Sequence, residues 1–172
     1  LGMLSKAIEL GAVSVDHLEH STDDELQLLA KSDTIGVLLP ASGFCLNDVY
    51  ARCRAMIDMG CAVAIATNFN PGSSPMPSMP FAIALACRRL GLTPAQSITA
   101  ATVNASCVLG LQDEVGRIKA GFSGDIQLLD CGDERELAWQ VCGGGPLLVS
   151  IGGKIVHLLS ENEEEPSGGA EQ

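Results

Sequence analysis

The chain has 172 residues, 47% hydrophobic and 18% charged, enough apolar content to bury one core and too little charge for an intrinsically disordered polymer. Ten Lys and Arg against 21 Asp and Glu leave a net charge of −11, so no basic stripe is available to neutralise phosphates and a nucleic-acid partner is not expected. The longest apolar runs, such as 61–66, are far shorter than the ~20 residues a bilayer span needs, and no membrane partner is expected either.

The first eleven residues lack the charged start, apolar centre and cleavage site of a signal peptide. They read as a helix already in progress with no initiator Met, and the chain is expected to be the C-terminal part of a longer enzyme. Seven Cys (45, 53, 61, 87, 107, 131 and 142), an odd number without a Cys-x-x-Cys pair, sit mostly among apolar neighbours. The expectation is reduced, buried thiols in a cytoplasmic protein.

In chain order, a helix is predicted over 4–10 and a short apolar strand over 12–15. An amphipathic helix follows over 23–31, with Thr22 as N-cap and Glu25 three residues later. A strand over 35–39 is closed by Pro40; a helix over 49–59 stops at Gly60; a third strand spans 61–66. These strands are continuous apolar runs, the pattern of parallel strands covered by helices. Each is followed by a polar loop, at 16–21, 40–47 and 68–77, and in α/β barrels the strand C-termini carry the chemistry. Two helices are then predicted, over 78–90 and from the Thr93 cap through Pro94 to about 103. Beyond Gly110 the texture turns to Gly-rich turns and three strands, over 125–129, 147–151 and 154–158, the last two joined by Gly152-Gly153. Five Glu crowd the last dozen residues, which read as a disordered acidic tail.

Two loops could carry chemistry. Asp16-His17-Leu18-Glu19-His20-Ser21 places two His three apart at a strand end, suited to metal ligation or acid/base work, or simply a polar strand end. Ala66-Thr67-Asn68-Phe69-Asn70-Pro71-Gly72-Ser73-Ser74-Pro75 is either a tight turn or a loop whose backbone approaches a ligand closely at Gly72.

Together the segments are more specific. Gly11 to Glu19, Val37-Leu38-Leu39-Pro40, Tyr50 to Asp58, and Ala66-Thr67-Asn68-Phe69-Asn70-Pro71-Gly72-Ser73 resemble the imidazolonepropionases, amidohydrolase-superfamily enzymes of histidine degradation. Ala101-Thr102-Val103-Asn104-Ala105 and Gly116-Arg117-Ile118-Lys119-Ala120-Gly121 through Asp125 match the superfamily more broadly. The resemblance implies an α/β fold: residues 1–110 as C-terminal units of a (β/α)8 amidohydrolase barrel, 111–158 as part of a small composite β-sandwich, and 159–172 as the tail.

It further implies hydrolysis of the ring amide of 4-imidazolone-5-propanoate to N-formimino-L-glutamate with one Zn²⁺ or Fe³⁺, in a cytoplasmic homodimer when full length. By position, His17 corresponds to the histidine that polarises the substrate and orients the attacking water. Asn70, Gly72 and Ser73 correspond to the loop that holds substrate and product. His20 is expected at the periphery and His157 on the surface.

Asn68 departs from the pattern, standing where the family has an aspartate that ligates the metal and accepts a proton from metal-bound water. An amide offers a neutral oxygen but cannot accept that proton, and general-base catalysis is worth roughly 10²–10⁴-fold. The family's His-x-His pair and its fifth-strand metal His have no counterpart here, so most metal ligands are expected upstream and the isolated chain is expected to be inactive. The alternatives are a non-catalytic paralogue or scaffold, which Asn68 favours, and another amidohydrolase acting on a small cyclic C–N substrate.

Overall fold

A computed structural model describes residues 2–141 and 145–159. The expected tail, from residue 160 on, and Cys142 lie outside the described residues. By packing, the chain divides into two units, one from Leu1–Phe122 and Cys131–Gly143, the other from Ser123–Asp130 and Gly144–Gln172.

The first unit opens with α1 (Met3–Glu9), β1 (Ser14–Asp16), α2 (Asp23–Ala30) and β2 (Ile35–Leu38). Helix α2 begins at a complete capping box: Glu25 N–H donates to Thr22 Oγ1 and Thr22 N–H to Glu25 Oε2. The backbone bond from Thr22 is the main reason the Glu25 carboxyl is held below its ordinary pKa. Strand β1 starts two residues later than expected, because Gly11 (φ +72°) turns the chain and Ala12 N–H still bonds back to Ala7 O at 3.0 Å.

Two corrections follow. The expected loop over 40–47 is a helix, α3 (Pro40–Leu46), with Pro40 in its first turn and Asn47 in the left-handed conformation closing it. A proline that ends a strand can equally begin a helix, since its missing N–H is one the first turn leaves unbonded. Conversely, the helix expected over 49–59 shrinks to α4 (Cys53–Asp58). Val49 to Arg52 run outside any helix, and Tyr50 packs its ring edge 3.1 Å from where a Cβ on Gly43 would lie.

Strand β3 (Val63–Ile65) is followed by α5 (Met79–Arg89), α6 (Pro94–Ala101) and α7 (Val103–Val108). The last expected helix is broken in two at Thr102 (φ −123°, ψ −78°), whose hydroxyl donates to Ile98 O. The three strands form a parallel sheet in the order β1-β2-β3, pairing Asp16 with Val37 and Leu38 with Ile65, so their C-termini share one edge. One face meets Leu26, Leu29, Met56 and Ile83; the other carries Ile35, Val37, Leu39 and Ala64 against Ala105 and Val108. Burial on both faces is why all seven residues of β2 and β3 are apolar.

In the second unit, β4 (Ile126–Leu128) pairs antiparallel with a later strand. Between them in sequence lies α8 (Arg135–Trp139), which belongs to the first unit and was not expected. Strands β5 (Leu148–Ile151) and β6 (Lys154–Leu158) complete an antiparallel sheet in the order β4-β5-β6. Gly152-Gly153, both at positive φ, make the hairpin turn, and Gly124 lies so close to Gly153 that a Cβ would fall 2.8 Å from its Cα.

Candidate functional site

The C-terminal edge of the parallel sheet collects the polar side chains. At the end of β1, His17 (φ +75°) and Leu18 (φ +73°) are consecutive non-glycine residues in the left-handed region. Such a turn costs of order 1–3 kcal/mol per residue and persists only where surrounding contacts enforce it. Two contacts do so here: His17 N–H donates to Val37 O at 2.9 Å, continuing the sheet, and Leu18 is buried in the main core. His17 Nδ1 lies 3.2 Å from Glu19 Oε1.

After β3, Asn68 (φ +51°) takes a left-handed conformation and its Nδ2 donates to Ser42 Oγ at 2.9 Å, on α3. The following bend is braced by its own groups. Asn70 Oδ1 accepts from Gly72 N–H and Ser73 N–H, each at 2.8 Å, and Asn70 Nδ2 donates to Asn68 O at 2.6 Å. Ser74, fully buried, donates its hydroxyl to Thr67 O at 2.7 Å, and Asn70 pairs with Ser74 as an isolated β-bridge. The carboxamide of Asn70 is thus engaged in shaping the loop.

A cavity of about 140 Å³ lies against this edge, lined by His17, Glu19, His20, Ser42, Asp48 and Ser73 among polar residues and by Leu46 and Val49 among apolar ones. His17 and Ser73, from loops fifty residues apart, therefore face one space. Asn68 is not a lining residue but reaches the wall through Ser42; Asn70 and Gly72 stand behind Ser73 as its supports. His20, expected at the periphery, lines the cavity too. Ser42 and Asp48 were not singled out from sequence. The signal that would have found them is the Pro40 helix start, which carries Ser42 back over the sheet edge. His157 is exposed in the second unit, its Nε2 3.0 Å from Pro146 O.

Among the described residues no group of three His, Cys, Asp or Glu side chains is placed to hold a metal ion. The side chains present do not form a metal site by themselves. The cavity is also smaller than the ~300–1,000 Å³ of a complete ligand pocket.

This arrangement, a parallel sheet with helices on both faces and polar strand ends at one edge, finds its class in the sequence profile of the amidohydrolase family, which matches residues 3–156. The chain belongs to that family. More particularly, it is 47% identical over 130 residues to the imidazolonepropionase of Symbiobacterium thermophilum, a match covering 75% of this chain and 31% of that protein. It is 48% identical over 150 residues to that of Rubrobacter xylanophilus, covering 87% and 36%. The chain thus spans about a third of the length of these curated relatives. Among solved structures, an adenosine deaminase from Xanthomonas campestris with bound zinc superposes with a TM-score of 0.78 at 22% identity, covering 90% of this chain and 40% of that one. E. coli guanine deaminase superposes with a TM-score of 0.72 at 15% identity, covering 86% and 39%. Likenesses at that identity speak to the fold.

Proposed function

We propose that these residues form the C-terminal part of an imidazolonepropionase, which adds water across the ring amide of 4-imidazolone-5-propanoate to give N-formimino-L-glutamate. Residues 1–110 are its last barrel units, and within 111–158 the strands β4, β5 and β6 are part of its β-sandwich, while α8 belongs with the barrel units. The observation that carries this reading is the convergence of His17 and Ser73 on one cavity at the sheet edge. The left-handed His17-Leu18 turn and the Asn70-braced loop thus contribute His17 and Ser73 to the same cavity wall.

In this reading His17 polarises the ring carbonyl and orients the incoming water, its Nε2 being the ring nitrogen without a partner among the described residues. Ser73 offers its hydroxyl to substrate and product, while Asn70 and Gly72 hold the loop that presents it. A single Zn²⁺ or Fe³⁺ would be held by ligands outside these 172 residues, with the Asn68 position the one contribution from this chain. Asn68 cannot receive a proton as a carboxylate would, so turnover is slowed or His17 takes that duty. The whole enzyme is a cytoplasmic homodimer acting on a small molecule, and the isolated chain is inactive.

A non-catalytic paralogue is the second reading, favoured by Asn68, whose amide already satisfies Ser42 in a neutral pair.

The test is a chimera in which this chain replaces the matching third of the Symbiobacterium thermophilum enzyme. Consumption of imidazolone propionate that His17→Ala abolishes supports the proposal. A folded chimera that stays inactive both as Asn68 and as Asn68→Asp overturns it in favour of the paralogue.

A further inference from the structure

The role of Glu19 is not explained by the hydrolytic reading. Its side chain is 19% exposed, against 50% for His17. It borders a crevice lined largely by apolar residues, among them Leu38, Leu39, Pro40, Tyr50 and Ala51, and it also lines the polar cavity it shares with His17, His20 and Asp48. Among the described residues its one hydrogen-bond partner is His17 Nδ1. A partly buried carboxylate is better satisfied with a hydrogen-bond donor than without one, and the imidazole is the donor supplied.

We infer that Glu19 is the positioning residue for His17: it accepts the Nδ1 proton, fixes the ring in the Nδ1–H tautomer and thereby presents Nε2 to the cavity as an acceptor. An ionised carboxylate accepts only, so the proton in this contact belongs to the imidazole. With Nδ1 protonated, the neutral ring has its lone pair on Nε2, the form that can receive a proton from water or from a substrate nitrogen. The opposite tautomer would turn an N–H toward the cavity and leave Nδ1 and the carboxylate as two acceptors 3.2 Å apart.

The backbone supports the pairing. In a regular strand, side chains two apart share a face but stand side by side. The two left-handed residues that precede Glu19, His17 and Leu18, bend the chain, and Leu18, held in the core, fixes the bend. The same geometry explains why Glu19 rather than Asp16 is the partner: Asp16 lies within the strand, paired to Val37.

The inference rests on the hydrolase reading of His17, yet its test is read without substrate, so each can fail alone. Long-range ¹H–¹⁵N spectra of the 172-residue chain, recorded where His17 is neutral, report which ring nitrogen carries the proton. The expected result is an excess on the order of tenfold of Nδ1–H over Nε2–H, the scale a charge-assisted hydrogen bond supports. Glu19→Gln keeps an acceptor oxygen and should retain the Nδ1–H form. Glu19→Leu removes the acceptor and should return the ring to an Nε2–H majority, the backbone amide spectrum otherwise staying that of the parent. An Nε2–H majority in the parent overturns the inference whether or not either variant folds, and so does an unchanged ratio in a folded Glu19→Leu.

Discussion

Gly36 sits in the middle of β2, and a methyl group there should be felt at the site two strands' ends away. A Cβ at this position would fall 2.8 Å from Met56 Cε, 2.9 Å from Leu18 Cδ1 and 3.4 Å from Leu29 Cδ2. Met56 is fully buried and Leu18 is 9% exposed, so neither terminal atom has free volume to retreat into. Overpacking a tight core costs about 1–3 kcal/mol, while replacing Gly by Ala within a strand returns roughly 0.5–1 kcal/mol of backbone entropy. The net expectation for Gly36→Ala is a loss of about 0–2.5 kcal/mol, read as a lower urea midpoint at unchanged slope. Because Leu18 is one of the two atoms struck, the His17-Leu18 turn should shift with it, seen as amide shift changes at His17 and Glu19. Met56→Ala opens a hole at the point of collision, so the penalty of Gly36→Ala should shrink or reverse in that background, giving a coupling of at least ~0.5 kcal/mol. Strict additivity, or a Gly36→Ala chain more stable than the parent, would refute the packing argument.

Other outcomes follow from the same geometry. Asn68→Asp in the active chimera should raise turnover by up to the roughly 10²–10⁴-fold of a general base; stopped assays with imidazolone propionate measure it, and an equal or lower rate means the proton takes another path. Asn70→Ala removes the acceptor of two backbone N–H groups and the donor to Asn68 O, and at this partly exposed loop should cost about 1–2 kcal/mol and weaken product binding through Ser73, checked by denaturation and calorimetry. Burial pushes the Cys53 thiol from 9.0 up to about 11. Because the folded state resists the thiolate more than the unfolded chain does, that contribution to stability is intact below about pH 9 and lost as pH rises from there toward 11; the denaturation midpoint should fall across that window and fall less in Cys53→Ala, relative to its own value at pH 8. Exposed Cys45 should react with an alkylating reagent at pH 8 well before buried Cys53 and Cys61, as mass spectrometry of the timed digest would show.

Strands β2 and β3 were legible in the sequence because they are buried on both faces and therefore unbroken by polar residues, whereas β1, Ser14-Val15-Asp16, lies at the less buried side of the sheet; the capping pairs Thr22–Glu25 and Thr93–Gln96 announced two helices correctly. Helix α3 was not legible: its seven residues, Pro40 to Leu46, include Ser and Gly, which suggest a loop when burial by neighbouring elements is unknown. The break at Thr102 depends on a hydroxyl bonding back to Ile98 O, a choice that helical periodicity does not record. At the site, residue types and order pointed to His17 and the Asn70–Ser73 bend, since chemistry constrains which side chains stand at strand ends. What spacing could not convey was that Ser42, Asp48 and His20 would line the same space, because that follows from the path of α3 and the left-handed residues near His17.

Apart from the Asn68–Ser42 anchor, the side-chain hydrogen bonds that shape the bend from Thr67 to Ser74 join residues at most seven apart. Such a segment closes its own ring of contacts without waiting for distant parts of the polypeptide. During synthesis it can take up its final form once those eight residues have cleared the ribosome, so the subsequent joining of the sheet edge would receive a finished loop in place of a slack one. Transplanted into an unrelated strand-to-helix junction, the octapeptide should keep that form.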